Sequence, residues 1–225
     1  MLLPDKTVSL RELLPTIQKI NHKIIDIAVQ QANADGKAVS CKKGCGACCK
    51  QLVPITKTET WQITELVNKL PKEKQKRIKQ AFNEARETLQ NSSLWEQLSN
   101  TALIKNKREI GFDYFDLNIS CPFLEDNACS IHQHRPLSCR EFLATSNPVF
   151  SNTPRDMKIE SIDIPVRGSN TLCRMENEQT TAPPVEAFVE WVPLSLALDW
   201  ANTHDEPEKQ AATRWMENFF QALSR

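Results

Sequence analysis

Apolar residues recur at helical spacing along most of this chain, and that rhythm sets out its elements. Ser9-Leu-Arg-Glu12 has the spacing of a capping box, in which a hydroxyl and a carboxylate satisfy the first free amides of a helix. Leu13, Leu14, Ile17, Ile20, Ile24, Ile27 and Ala28 then share one face, which predicts a helix ending near Asp35-Gly36. Thr56-Lys-Thr-Glu59 opens a second helix, with Trp61, Ile63, Leu66, Val67 and Leu70 as its apolar set. From Pro71 to about Lys107, charged residues and Gln surround sparse anchors at Ile78, Phe82, Leu89, Leu94 and Leu98. This predicts one or two solvated helices broken near Asn91-Ser92-Ser93.

Two segments read as strands: Ile110 to Ser120, with Phe112, Tyr114, Phe115, Leu117 and Ile119, and the partly alternating Lys158 to Val166. Pro165 would place the second at a sheet edge. Pro184 to Ala201 reads as a helix kinked at Pro193, and Asp205-Glu-Pro-Glu opens another running to Leu223. Trp61, Trp95, Trp191, Trp200 and Trp215 sit at apolar positions and read as core. The predicted fold class is mainly α with minor β, a single compact domain over 1–225. Within it, 41–143 forms a cysteine-rich core with a helical insert at 57–107, and 183–225 supplies C-terminal helices that pack on it.

Composition removes several function classes. Basic and acidic residues number 28 each, so no net charge draws the chain to nucleic acid. Only 5 glycines occur, and neither GxGxxG nor GxxxxGK is present, which argues against the usual phosphate loops. The first residues lack the apolar run of a secretory signal. The most apolar stretch, Val185 to Trp200, is interrupted by Glu186, Glu190, Pro193 and Asp199, which argues against a membrane span. The expected setting is therefore the cytoplasm, where thiols stay reduced and clustered cysteines favour metal over disulfides.

The chemistry-bearing residues are 8 cysteines. Four lie in Cys41-Lys-Lys-Gly-Cys45-Gly-Ala-Cys48-Cys49; Cys121, Cys129 and Cys139 follow, and Cys173 stands apart. This is not the two-knuckle pattern of a zinc ribbon. Adjacent cysteines point in different directions on most backbones. The spacing thus suggests that Cys41, Cys45 and Cys48 serve one centre while Cys49 reaches another, or the reverse. Eight sulfurs would fill two four-ligand sites, either zinc ions or iron–sulfur clusters, and one polynuclear site is an alternative. His132 and His134 are candidate replacements for a sulfur, although a role outside the ligand set is the simpler reading for both. Lys42, Lys43, Lys50, Arg135, Arg140 and Arg174 flank the cysteines and would offset thiolate charge. Pro136 places Cys139 in an early helical turn, where the amides and helix dipole are expected to lower its pKa. Glu125 and Asp126 read as solvated turn residues.

Together the two blocks, Cys41-x3-Cys45-x2-Cys48-Cys49 and Cys121-Pro-Phe-Leu…Cys129-Ser-Ile-His-x2-Arg135-Pro136-x2-Cys139-Arg140-x-Phe142, resemble the YkgJ-type cysteine-cluster family, the zinc- or iron-chelating CxxxCxxCC domain. The resemblance spans about 41–143 and departs at His132, where a tyrosine usually stands. It implies chelation of iron, as an iron–sulfur cluster, or of zinc by Cys41, Cys45, Cys48, Cys49, Cys121, Cys129 and Cys139; Cys173, outside the two blocks, is the next candidate ligand. Some larger relatives, the flagellin lysine N-methylases, transfer methyl groups from S-adenosylmethionine, so methyl transfer is one alternative and a structural-zinc interaction protein another. A radical S-adenosylmethionine enzyme and a vicinal-thiol switch at Cys48-Cys49 complete the alternatives. Neither Ser-His-Asp nor Cys-His-Asn can be argued from spacing, and catalysis stays an open question at this level. No protein partner can be read from the residues.

Overall fold

The computed structural model describes residues 6–104, 106–178 and 190–224. A two-residue strand β1 (Thr7–Val8) leads into the long helix α1 (Leu10–Ala34), whose Ser9 capping box forms as expected. After the first cysteine group come β2 (Pro54–Ile55) and α2 (Lys57–Lys69), opened by the Thr56–Glu59 capping box. The insert continues as α3 (Lys72–Gln90) and α4 (Trp95–Ser99), with the break at Asn91 to Ser93. Then follow α5 (Lys107–Asp116), the hairpin β3 (Leu124–Glu125) and β4 (Ala128–Cys129), and the short α6 (Leu137–Glu141). The chain is completed by α7 (Gly168–Glu178), β5 (Val192–Pro193), α8 (Ala197–Thr203), β6 (Gln210–Ala211) and α9 (Ala212–Leu223). The fold is mainly α with minor β; the strands form three antiparallel pairs, β1 with β6, β2 with β5, and β3 with β4.

Four apolar clusters knit these elements. The first half of α1 packs with α7 and α9 around Leu14, Ile17, Leu172, Trp215 and Phe219, and the Trp215 indole donates to the Val8 carbonyl at 3.0 Å. Ile63, Phe82, Phe123, Val192 and Ala197 join α2, α3 and α8. A third cluster joins α3, α4 and α5 to Cys173 and Trp191, and a fourth lays Ile162 and Ile164 on the second half of α1. Trp191 and Trp215 are core residues, whereas Trp61, Trp95 and Trp200 are half-buried, with Trp61 and Trp200 in an edge contact at 5.2 Å.

Several sequence expectations are corrected. Ile110 to Asp116 is helix, not strand: Asn106 accepts from the Glu109 amide at 3.2 Å, and Ile110 and Tyr114 bury one face a turn apart. The aromatics between them had suggested β, but the cap and the four-residue spacing win. In 158–166 the alternation is real, since Ile162 and Ile164 are buried between exposed neighbours, yet pairing is limited to a bridge between Ser161 and Ala144. Pro193 ends a strand against Pro54 and does not kink a helix; α8 begins only at Ala197. The first part of that expected helix, 184–189, lies outside the described residues. The last helix starts at Ala212, because Gln210 and Ala211 pair with β1 and Glu206 is drawn to Arg11.

Three buried or largely buried carboxylates close a ring of helix caps. Glu59 of α2 accepts from the first amide of α6, Leu137 N, at 2.6 Å. Glu141 of α6 accepts from the Ser169 amide of α7 at 3.0 Å and from the Ser169 hydroxyl. Glu176 of α7 returns to α2, accepting from Lys57 N at 2.8 Å and Thr58 N at 2.9 Å. The amides of a helix's first turn have no partner within the helix, and their dipoles favour negative charge there. Each helix therefore caps the next, α2 to α6 to α7 to α2.

Burial nevertheless opposes charge on these groups. It pushes the pKa of Glu59 and of Glu141 up, and that of Glu176 up to about 7 from 4.5, with the cap hydrogen bonds offsetting only part. Part of Glu176 is accessible, but its carboxylate is desolvated. A carboxyl whose folded pKa is raised holds its proton more firmly in the fold. Its contribution to stability is thus fully present below pH 4.5 and is lost as the pH rises through about 7. At most this amounts to about 3 kcal/mol. Glu176→Gln removes the titration, so the thermal midpoint of the wild type should fall relative to this variant between pH 5 and pH 8. A gap independent of pH, measured by calorimetry on reduced protein, would contradict the assignment.

Candidate metal centre

The first cysteine group follows α1 as a loop of successive turns, with Gly44 in the left-handed region at φ 89°. The second is built on the hairpin. Asp126 and Asn127 take positive φ values of 48° and 59°, the two-residue turn that matches strand twist, so that Leu124 pairs with Cys129. Two contacts press the groups together. The Cys121 amide donates to the Cys49 carbonyl at 2.7 Å, and Gly46 lies on the hairpin turn. A Cβ at Gly46 would fall 2.5 Å from the Asn127 carbonyl oxygen and 2.6 Å from Leu124 Cδ1, so glycine is required by this approach. Cys139 comes from α6, where the carboxylate ring places it.

Seven thiols are electrostatic neighbours. Cys41 senses Cys45 and Cys48; Cys49 senses Cys48, Cys121 and Cys129; Cys139 senses Cys121, Cys48 and Cys129. Cys48 ionises most readily of those whose thiols shift, so its charge is felt by Cys41, Cys49, Cys121, Cys129 and Cys139. The vicinal pair differentiates: Cys49 donates to Cys48, holding the Cys48 thiol down to about 7 while its own is pushed far up. Burial raises Cys41 and Cys129, lifts Cys121 to about 12 and lifts Cys139 well above the ordinary thiol value. The early-turn position of Cys139 therefore does not lower its pKa, because desolvation and three neighbouring sulfurs outweigh the helix dipole.

Backbone amides supply donors that the cysteine spacing did not foretell. Ala144 N reaches Cys41 Sγ at 3.2 Å, and the amides of Phe123 and Ile131 hydrogen-bond Cys121 and Cys129. Such donors favour the ionised sulfur that a metal requires. The Arg135 charge acts on Cys41, Cys48 and Cys129 in the same sense, while its Nε donates to the His132 carbonyl. Arg140 faces the Cys139 charge and in addition donates to the carbonyls of Arg135 and Gln133 at 2.7 and 2.6 Å, bracing the turn between the hairpin and α6. Burial and Arg135 favour the neutral imidazole at His132, and His134 is exposed. Glu125, read as solvated, pairs with Arg77 at 2.6 Å and Lys74 at 3.6 Å on α3.

Cys173 is elsewhere. It is buried in α7, within the cluster containing Trp191, and its strongest electrostatic neighbours are Glu176, Glu59 and Lys107. Among the described residues, no three cysteine, histidine or carboxylate side chains already converge as a coordination shell. What the structure brings together is seven thiols from two segments, with amide and arginine donors among them. In softness and number these donors fit zinc or iron.

Residues 40–160 match the family CxxCxxCC, described as "Putative zinc- or iron-chelating domain". The match covers more than half of the chain. This chain belongs to that family. Its matched region contains all seven of the neighbouring thiols, and Cys173 lies beyond it. No curated protein and no solved structure matches the chain. Among the described residues no helix is long and apolar enough to cross a membrane.

Gly46→Ala should separate the two cysteine segments, because the obstructing atom is backbone and cannot rotate away. The expected cost is about 1–3 kcal/mol of stability, with a loss of bound metal. Gly111→Ala, where an added Cβ meets nothing within 4 Å, serves as the control and should leave both unchanged or improve stability. Equal behaviour of the two variants in thermal unfolding and metal analysis would contradict this account.

Proposed function

We propose that the chain chelates iron or zinc at a centre of more than one metal atom, held by Cys41, Cys45, Cys48, Cys49, Cys121, Cys129 and Cys139. The observation that carries this reading is the joining of the two cysteine segments, by the Cys121–Cys49 backbone hydrogen bond and the approach of Gly46 to the hairpin, into one group of seven neighbouring thiols. Seven sulfurs exceed the four that complete a tetrahedral ion. Cys41, Cys45 and Cys48 would hold part of the metal and Cys49, Cys121, Cys129 and Cys139 the rest.

When bound, the metal would take thiolates and release their protons, and its positive charge would replace the protons that now keep these sulfurs compatible. Arg135 offsets residual negative charge. The amides of Ala144, Phe123 and Ile131 hold individual sulfurs in orientation. Cys173 has no place in this set. An iron–sulfur cluster lies within the proposal and differs from a zinc centre by its inorganic sulfide. Methyl transfer from S-adenosylmethionine rests on the family resemblance, and none of the described residues adds an argument for it.

The test is metal and acid-labile sulfide analysis of protein purified without oxygen. At least two iron or zinc atoms per chain are expected. Cys48→Ser should lose most of the metal, Cys139→Ser should lose part of it, and Cys173→Ser should retain all. Full metal content in folded Cys48→Ser would overturn the proposal. Sulfide equimolar with iron identifies a cluster, and its absence beside zinc identifies a thiolate-bridged zinc centre.

A further inference from the structure

Between α5, α7 and Trp191 lies a cleft of about 620 Å³, within the range of small-molecule sites. Six of its residues define its chemistry: Lys107, Gly111, Asn170, Cys173, Arg174 and Trp191. Lys107 is exposed and Arg174 half-buried, and neither has a carboxylate partner among the described residues. Arg174 is instead steadied by a long contact from its Nε to the Asn170 carbonyl, 3.4 Å away. Trp191 is a fixed wall, because Thr101 Oγ1 donates to its carbonyl at 2.6 Å and accepts from its amide at 3.1 Å. Cys173 adds a buried sulfur that desolvation keeps protonated, so it presents a small, polarisable, uncharged surface.

Gly111 is the informative residue. It sits inside α5, where glycine is unfavourable, and its backbone has no need of a positive φ. A Cβ built there meets no atom within 4 Å, so packing does not exclude a side chain. What its absence keeps open is the cleft.

We propose that this cleft is a second site, separate from the cysteine centre, that binds a small organic anion. Lys107 and Arg174 take the carboxylate or phosphate head, and an apolar ring-bearing body lies against Trp191 and Cys173. The cations give the head its preference over a neutral group, and Gly111 leaves room for the body.

The full chain with its native metal is titrated with the fluorescent anion 8-anilinonaphthalene-1-sulfonate, then challenged with phenyl phosphate, benzoate or phenol. One saturable site is expected. Phenyl phosphate or benzoate should displace the probe at concentrations at least tenfold lower than phenol, and the order of the two identifies the preferred head. Lys107→Met, an exposed position, should weaken probe binding several-fold, and combining it with Arg174→Met at least tenfold. Gly111→Leu should abolish binding without lowering the thermal midpoint. Probe binding unchanged in Lys107→Met or in Gly111→Leu, or displacement by phenol as efficient as by phenyl phosphate, would overturn the proposal. None of these positions belongs to the seven-thiol set, so the outcome does not depend on the metal found there.

Discussion

The closed relay of carboxylates onto helix ends is the constraint on which the rest of this structure depends. Glu59, Glu141 and Glu176 each belong to one helix and satisfy the first amides of another. Removing one leaves buried donors without partners, at about 1–3 kcal/mol each, and frees a helix from its neighbour at the same time. The arrangement matters most for α6, which has five residues and could not persist alone in water. Its first amide is held by Glu59, its last residue holds α7, and Cys139 lies between them.

With α6 fixed, the cysteine centre follows from local chemistry. A left-handed two-residue turn folds the hairpin that brings Cys121 towards Cys129. The Gly46 approach and the Cys121–Cys49 backbone hydrogen bond set the first loop on that hairpin. The sulfurs thus arrive from three pieces, the first loop, the hairpin and α6, each held by its neighbours. Without metal they remain compatible by staying largely protonated, since burial and mutual repulsion oppose ionisation in five of the seven. Cys48 differs because Cys49 lends it a proton donor, so it ionises more readily than an ordinary cysteine. Two titratable systems therefore stand side by side: a ring of acids that organises helices, and a group of thiols of which Cys139 is placed by that ring.

Much of this was legible in the residues, for identifiable reasons. Both capping boxes, the break after α3 and the cysteine blocks are local patterns, and local patterns report local structure. The helix over Lys107–Asp116 was misread because its aromatic residues mask a weak amphipathic signal, although the Asn106–Glu109 cap was there to be found. The ends of α8 and α9 were misplaced because pairing with β2 and β1, distant in sequence, claims residues that propensity assigns to helix. The carboxylate ring was invisible for the same reason, since Leu137 is 78 positions from Glu59. Counting cysteines could not show that Cys173 belongs to a different environment from the other seven; only its packing beside Trp191 does so.

X-ray absorption at the metal edge of anaerobically purified protein tests the central claim most directly. The account predicts a first shell of sulfur, at about 2.3 Å if the metal is zinc, together with a second metal atom as a near scatterer. A shell dominated by nitrogen or oxygen, or a single isolated metal atom with four sulfurs, would contradict a shared centre built around Cys48.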